Sequence, residues 1–284
     1  MPTGEPSVPT APTVELNDGH QMPVLGLGTY SLDGDEGAAA IGTAISSGYR
    51  LLDTALNYGN EDAVGRAVRD SDVPREELFV TSKLPGRHHG WDEAHRSIDE
   101  TLGNLGLDYV DLYLIHWPNP SVDKFVDTWK AFVDLRDSGK VRSIGVSNFT
   151  PAHLDRIIEA TGVAPAVNQV ELHPYFPQGA LRQVHQDLGI VTESWSPLAK
   201  RSELLTEQPI TAAAAAHGVT PGQVVLRWHT QLGAIPVPKS GDADRQRENL
   251  DVFGFTLTED EVAAISGLER GRLWDGDPDT HEEM

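Results

Sequence analysis

The sequence predicts an α/β fold: a closed (β/α)8 barrel of the TIM type preceded by a short β-hairpin. Three observations carry this. Short apolar runs end near Gly28, Asp53, Lys83, His116, Ser147, Glu171, Ser194 and Val237, which makes eight strand candidates. Most gaps between them hold one amphipathic helix, and no strand is joined to the next by a two-residue hairpin turn. Eight such units in about 250 residues match the closed parallel barrel. The other architecture, an open doubly wound sheet, usually shows a GxGxxG turn after its first strand, and "GLGTYS" at Gly26 to Ser31 lacks the third glycine.

Taken in order, the opening "MPTGEPSVPTAPT" is rich in Pro and Thr and has neither a basic n-region nor an apolar h-region. Residues 1–12 are therefore expected as a flexible tail rather than a signal peptide, and residues 13–284 as one domain. Thr13 to Leu16 and Gln21 to Val24 flank the turn signal Asn17-Asp18-Gly19, the expected hairpin. In "WDEAHRSIDETLGNLG", Trp91, Ala94, Ile98, Leu102 and Leu105 fall on one helical face, and a glycine follows. "VDKFVDTWKAFVDLRDSG" repeats the pattern through Val122, Phe125, Val126, Trp129 and Val133. Thr150-Pro151 and Thr220-Pro221 read as an N-cap followed by a first-turn proline, and Thr258-Glu259-Asp260-Glu261 has the capping-box form.

Composition excludes several function classes. With no cysteine, the chain has no disulfide, thiolate nucleophile or cysteine-based zinc site, and it also lacks an HExxH pair. No apolar run approaches the length of a membrane span. A formal charge of −21 argues against nucleic acid and anionic membranes as partners. The lack of cysteine fits a reducing compartment; the expected location is the cytoplasm and the expected partner a small molecule. Nothing suggests a coiled coil, and a monomer is expected.

Reacting groups in such barrels sit at the C-terminal strand ends and in the loops that follow. "LLDTALNYGNE" closes the second barrel strand with Asp53 and puts Tyr58 in the next loop; Lys83 closes the third strand and His116 the fourth. Neighbouring strands lie ~4.8 Å apart, so these ends fall within roughly 10 Å of one another. An ammonium beside a phenol stabilises the phenolate, which recommends Lys83 as the partner that lowers the pKa of Tyr58. A carboxylate such as Asp53 keeps a buried lysine charged. His116 can orient an acceptor or relay a proton. The set suits proton delivery to a carbonyl oxygen. A rival on the same mouth is a glycosidase using Glu171 and Glu193 as paired carboxylates, although that chemistry has no use for a lysine.

Together "LDTALNYGNE", "TSKL", "DLYLIHWP", "SIGVSNF", "NQVELHPY", "SWSPL" and "IPVPKS" resemble the aldo-keto reductase superfamily, in family order from about residue 14 to 270, with the nearest likeness to prokaryotic 2,5-diketo-D-gluconate reductases. The resemblance implies NADPH-dependent carbonyl reduction, with Asp53, Tyr58, Lys83 and His116 as the catalytic tetrad and Tyr58 as general acid. It implies carboxamide contacts from Ser147, Asn148 and Gln169, and a nicotinamide-stacking ring at Trp195. Ser196, Pro197 and Leu198 correspond to the pyrophosphate loop, Gly28 and Thr29 to the nicotinamide ribose. In "PKSGDADRQREN", Lys239, Ser240 and Arg245 correspond to 2′-phosphate contacts and Glu248 and Asn249 to adenine contacts. Two cations near a dianionic phosphate favour NADPH over NADH on physical grounds alone. Arg247 is left open, because helical spacing turns it away from Arg245.

The chain departs from the family after Lys83-Leu84, where a tryptophan is common and Pro85-Gly86-Arg87-His88-His89 stands instead. Tyr30, Trp117 and Trp274 are expected as substrate walls, beside Tyr58 and His116. His88 and His89 are expected on the surface with no bound metal, and the acidic "DGDPDTHEEM" as a mobile tail. An alternative from another class is an NADPH-binding redox sensor with little turnover.

Overall fold

The computed structural model describes residues 10–283. Residues 1–9 of the expected tail lie outside the described residues. Ala11 is buried and the Pro12 carbonyl accepts from Val24 N at 2.9 Å, so the chain is already packed just ahead of the hairpin. Strands β1 (Thr13–Glu15) and β2 (Gln21–Pro23) pair antiparallel, with Val14 opposite Met22.

Eight parallel strands follow: β3 (Leu27–Gly28), β4 (Leu51–Asp53), β5 (Phe79–Leu84), β6 (Val110–Ile115), β7 (Val141–Ser147), β8 (Val167–Glu171), β9 (Val191–Trp195) and β10 (Ala234–Pro236). Each pairs with the next in chain order. The ring is closed between its ends by Gly26 N to Pro236 O (3.1 Å) and Gly28 N to Pro238 O (3.2 Å), with a parallel bridge from Gly28 to Lys239. The strands are short and buried on both faces because helices cover the outside and side chains fill the inside. Inside, Leu51, Phe79, Leu112, Leu114, Val167 and Ile235 pack against Leu16 and Met22 of the hairpin segment, which plugs the N-terminal end. The opposite end is left for polar side chains.

The connecting helices are α1 (Gly34–Ser46), α2 (Glu61–Arg69), α3 (Trp91–Leu105), α4 (Phe125–Ser138), α5 (Pro151–Thr161) and α6 (Gly179–Asp187). Two helices, α7 (Gln208–His217) and α8 (Pro221–Gln231), separate β9 from β10, and α9 (Ala243–Leu250) and α10 (Glu259–Ser266) follow. Capping boxes at Thr150, Thr220 and Thr258 start α5, α8 and α10 as their sequences indicate. Two helical faces differ from expectation. Trp91 is exposed, since it is the first residue of α3 and precedes the turn that meets the barrel. Val122 lies outside α4, because the chain bends through a left-handed Asp123 (φ 50) before the helix begins at Phe125.

Helix α2 crosses α3 closely enough that a β-carbon at Gly65 would fall 1.8 Å from Leu105 O. Gly65→Ala must therefore push the helices apart, an overpacking cost of roughly 1–3 kcal/mol. Thermal melting should show a midpoint several degrees lower; an unchanged midpoint would contradict this packing.

Candidate active site

Lys83 projects inward from β5 and is fully buried, and Asp53, at the end of β4, is nearly so. The ammonium donates to Asp53 Oδ2 at 2.7 Å and to Thr54 O at 2.8 Å, and reaches Tyr58 Oη at 3.5 Å. Burial alone would push the lysine pKa down, but Asp53 first and Tyr58 second outweigh it, and the result lies above the ordinary lysine value. Beyond β4 the chain makes a single 3-10 turn, Leu56–Tyr58, ended by Gly59 in the left-handed region (φ 65). Buried Asn60 pins this turn by donating to Thr29 O (2.7 Å) and Leu32 O (2.9 Å) while accepting from Thr54 Oγ1 (2.9 Å).

The phenol of Tyr58 is thereby held above the ion pair. Its pKa moves opposite to the sequence-based expectation: burial raises it most, Lys83 opposes that, and Asp53 raises it further. A phenol shifted this way keeps its proton at neutral pH. His116 follows β6 directly, its backbone N bound to Leu84 O (3.0 Å), and its ring meets Tyr58 edge-on at 5.9 Å. The four residues converge at the C-terminal end of the barrel. Tyr30 adds an exposed ring 5.2 Å from that of Tyr58.

One layer deeper lies a group the sequence reading assigned differently. Gln169 Nε2 donates to Asp53 Oδ1 and to Glu193 Oε2, each at 2.8 Å. Glu193 is fully buried, and its carboxyl is pushed up to about 8 by burial first and by neighbouring Asp53 second. Glu171 instead accepts from Leu273 N (2.7 Å) and lies 3.1 Å from His173 Nε2 and 3.5 Å from Arg272 Nη1. Neither glutamate lines the mouth, so the paired-carboxylate arrangement of a glycosidase is not formed. The reason is depth and partner: Glu193 lies on the inner face of β9 two residues before Trp195, beneath Gln169, while Glu171, opposite Trp195 at the end of β8, is held by the C-terminal segment.

A cavity of about 890 Å³ opens above this cluster and runs outward along the top of the barrel. Asp53, Tyr58, His116, Trp117 and Tyr30 line one end. Gly28, Thr29, Ser147, Asn148, Gln169 and Trp195 form its middle. Asn148 takes a left-handed backbone (φ 62); its amide accepts from Trp195 Nε1 (2.8 Å) and donates to Ser147 Oγ (3.0 Å) and His116 O (3.1 Å), which sets the indole's angle. Ser196, also left-handed (φ 50), starts the loop through Pro197 and Leu198. His229, buried and neutral with its pKa down at about 3, holds that loop through Pro197 O at 3.2 Å.

At the far end stand Lys239, Ser240, Arg245, Glu248 and Asn249. Lys239 and Arg245 are exposed, and Asp242 caps α9 by accepting from Arg245 N (2.9 Å). Arg247 points away from the cavity and pairs with Asp244. The loop beyond Leu198 brings Lys200 and Arg201 to the same lining. The reading of the sequence passed over this basic pair, although "AKR" is visible in an acidic chain.

Three features differ from expectation. Trp274 stands against Trp195 (5.5 Å) and His173 (5.7 Å), off the cavity lining, so it backs the indole rather than walling the mouth. His89 is buried, not exposed, and burial lowers its pKa to about 4; among the described residues no cluster of three or more His, Asp or Glu could hold a metal. The acidic tail is packed into the mouth. His281 meets the Trp117 ring at 4.2 Å, Glu282 accepts from Ser121 N (2.8 Å), and Glu283 Oε1 accepts from Asn57 Nδ2 at 2.7 Å and lies 2.7 Å from His116 Nδ1. Burial would raise the Glu283 carboxyl, but His116 and Asn57 hold it below its ordinary value. The tail fits because residue 86 is glycine: a β-carbon there would fall 1.9 Å from both Glu283 O and Asn119 Nδ2. Tail and glycine together close the mouth beside Asn119 and His116.

The family profile described as "Aldo/keto reductase family" matches residues 24–270. The chain is 67% identical over 277 residues to 2,5-diketo-D-gluconic acid reductase B of Corynebacterium sp. (strain SHS752001), covering 98% of this chain and 100% of that one. It is 46% identical to morphine 6-dehydrogenase of Pseudomonas putida, over 94% of this chain and 95% of that one. Among solved structures, a mutant of Gox0644 in complex with NADPH is similar with a TM-score of 0.92 and 46% identity, covering 96% of this chain and 100% of that one.

Glu193 gives the site a pH signature. Its carboxyl keeps its proton to about 8 in the folded chain and loses it near 4.5 when unfolded, so the folded state holds the extra proton in between. Stability from this group is full below 4.5 and is lost as pH rises through 8. Melting midpoints measured from pH 5 to 8 should therefore decline relative to those of Glu193→Gln. A constant difference would mean that Glu193 is already ionised in the folded protein.

Proposed function

The chain belongs to the aldo/keto reductase family and is an NADPH-dependent carbonyl reductase; we propose that its substrate is a keto-sugar acid of the 2,5-diketo-D-gluconate kind and that Tyr58 delivers the proton. One observation carries this reading: the tyrosine above a buried lysine and two exposed cations lie at opposite ends of a single cavity. The cavity fits the cofactor by its size, by the Gln169 amide on its lining, and by Lys239 and Arg245, which can neutralise a 2′-phosphate.

On this reading Ser147, Asn148 and Gln169 hold the carboxamide and Trp195 covers the ring. Gly28 and Thr29 flank the adjoining ribose, Ser196 to Leu198 run beside the pyrophosphate, and Lys239, Ser240 and Arg245 take the 2′-phosphate. Glu248 and Asn249 meet the adenine. When bound, NADPH supplies a hydride to the carbonyl carbon. Tyr58 gives its proton to the carbonyl oxygen, and Lys83 stabilises the phenolate left behind. Asp53 keeps Lys83 charged, and His116 orients the carbonyl where negative charge develops.

Support for a sugar acid comes from the relative's name and from the polar groups that share the cavity's catalytic end with the aromatic walls Tyr30 and Trp117, namely Tyr58 and His116; Asn57, next to Tyr58, accepts from Arg87. Glu283 contacts the same Asn57 and His116, so an incoming substrate must move the tail. We also read the chain as a cytoplasmic monomer with no nucleic-acid or membrane partner. The net charge of −21, which repels polyanions, supports the reading that nucleic acid and anionic membranes are not partners; no helix among the described residues is long and apolar enough to cross a membrane.

Tyr58→Phe should lower kcat for carbonyl reduction by at least ~100-fold while the NADPH dissociation constant stays within about twofold, because the phenol acts in the transition state. Equal loss of both would remove Tyr58 from the acid role. Tight NADPH binding with no turnover by the native chain would favour a cofactor-binding sensor instead. Lys239→Ala or Arg245→Ala should weaken NADPH by about 10- to 100-fold, the value of a charge-assisted hydrogen bond, and NADH hardly at all. A uniform effect on both cofactors would remove these cations from the 2′-phosphate.

A further inference from the structure

Gln169 connects the buried ion pair to the cavity. Its Nε2 carries two hydrogens, one given to Asp53 and the other to Glu193. Its Oε1 accepts no hydrogen bond from any described residue, although Gln169 lines the cavity. One hydrogen bond would leave the amide free to turn about that bond; two fix its plane.

Glu193 is poorly explained by stability alone. It sits opposite Gln169 in the β8–β9 register, fully buried, and its Oε1 has no partner. A buried polar atom left unpaired is destabilising, and an apolar residue of similar volume would be the stable choice. Because burial keeps the carboxyl neutral near pH 7, it accepts from Gln169 without adding a second negative charge beside Asp53 and Tyr58.

We propose that Glu193 is a positioning residue: it locks the Gln169 amide so that Oε1 faces the cavity as an acceptor for the carboxamide N–H of a nicotinamide ring. This rests on the reading of the cavity as an NADPH site.

The test measures binding by tryptophan fluorescence, with three probes: NADPH, adenosine 2′,5′-bisphosphate, which has no nicotinamide, and the 3-acetylpyridine analogue of NADPH, which has no amide N–H. The wild type must bind NADPH and the bisphosphate; if it binds neither, the NADPH reading fails, and this inference with it. Given that binding, Glu193→Met should weaken NADPH by roughly 3- to 10-fold, the value of one neutral hydrogen bond, and leave the other two probes within about twofold. Glu193→Gln, which keeps the acceptor, should restore NADPH affinity. Glu193→Met placed on Gln169→Met should weaken NADPH no further than Gln169→Met alone. If Glu193→Met does not fold, Glu193→Asp, which withdraws the acid by one methylene, gives the same comparison. Equal weakening of all three probes would mark a packing role and overturn the proposal. So would an unchanged NADPH affinity in Glu193→Met.

Discussion

A lysine ammonium held away from water is the constraint on which the rest of the site depends. Lys83 is stable in the barrel only because Asp53 and the Thr54 carbonyl face it at 2.7 and 2.8 Å. That requirement brings an aspartate to the end of β4 and a lysine to β5, and it demands that Asp53's second oxygen also be satisfied, which Gln169 does from across the barrel. The phenol of Tyr58 then meets a fixed positive charge in a dry setting. Burial keeps its proton on, and the ammonium makes its loss tolerable at the moment a carbonyl oxygen needs it.

Charge is distributed to match. The chain carries 43 acidic against 22 basic residues, yet the cavity edge gathers Lys200, Arg201, Lys239 and Arg245. An acidic surface around a basic groove discourages polyanions in general while leaving room for one small dianionic phosphate. Inside, the neutral form of Glu193 lets two carboxyl groups share one amide without mutual repulsion.

Much of this was legible because barrel geometry ties function to strand ends. A run of apolar residues closing on Asp53, Lys83 or His116 states both the strand and the position of its last side chain, and the parallel pairing of adjacent strands brings those side chains together. What sequence reasoning missed depends on contacts between distant segments. Glu283 reaches His116 and Asn57 only because Gly86 leaves room, and nothing local to "DGDPDTHEEM" encodes that. Trp274 was expected at the mouth and instead packs behind Trp195, a difference of one side-chain layer. His89 and the first turn of α3 erred for a simpler reason: helical and loop positions next to a boundary do not share the burial of the element they adjoin. The direction of the Tyr58 shift was misjudged because the ammonium is visible in the sequence, whereas the depth of burial that outweighs it is not.

The central claim is that Asp53 and Lys83 act on Tyr58 as one unit. A double-mutant cycle on kcat for carbonyl reduction tests this directly, using Asp53→Asn, Lys83→Met and the double variant, with NADPH affinity measured in each. Each single substitution should lower kcat nearly as far as the pair does, because either one dissolves the buried ion pair. Losses that simply add, with the double variant reduced by the product of the two single factors, would mean that the residues contribute independently and would contradict the account.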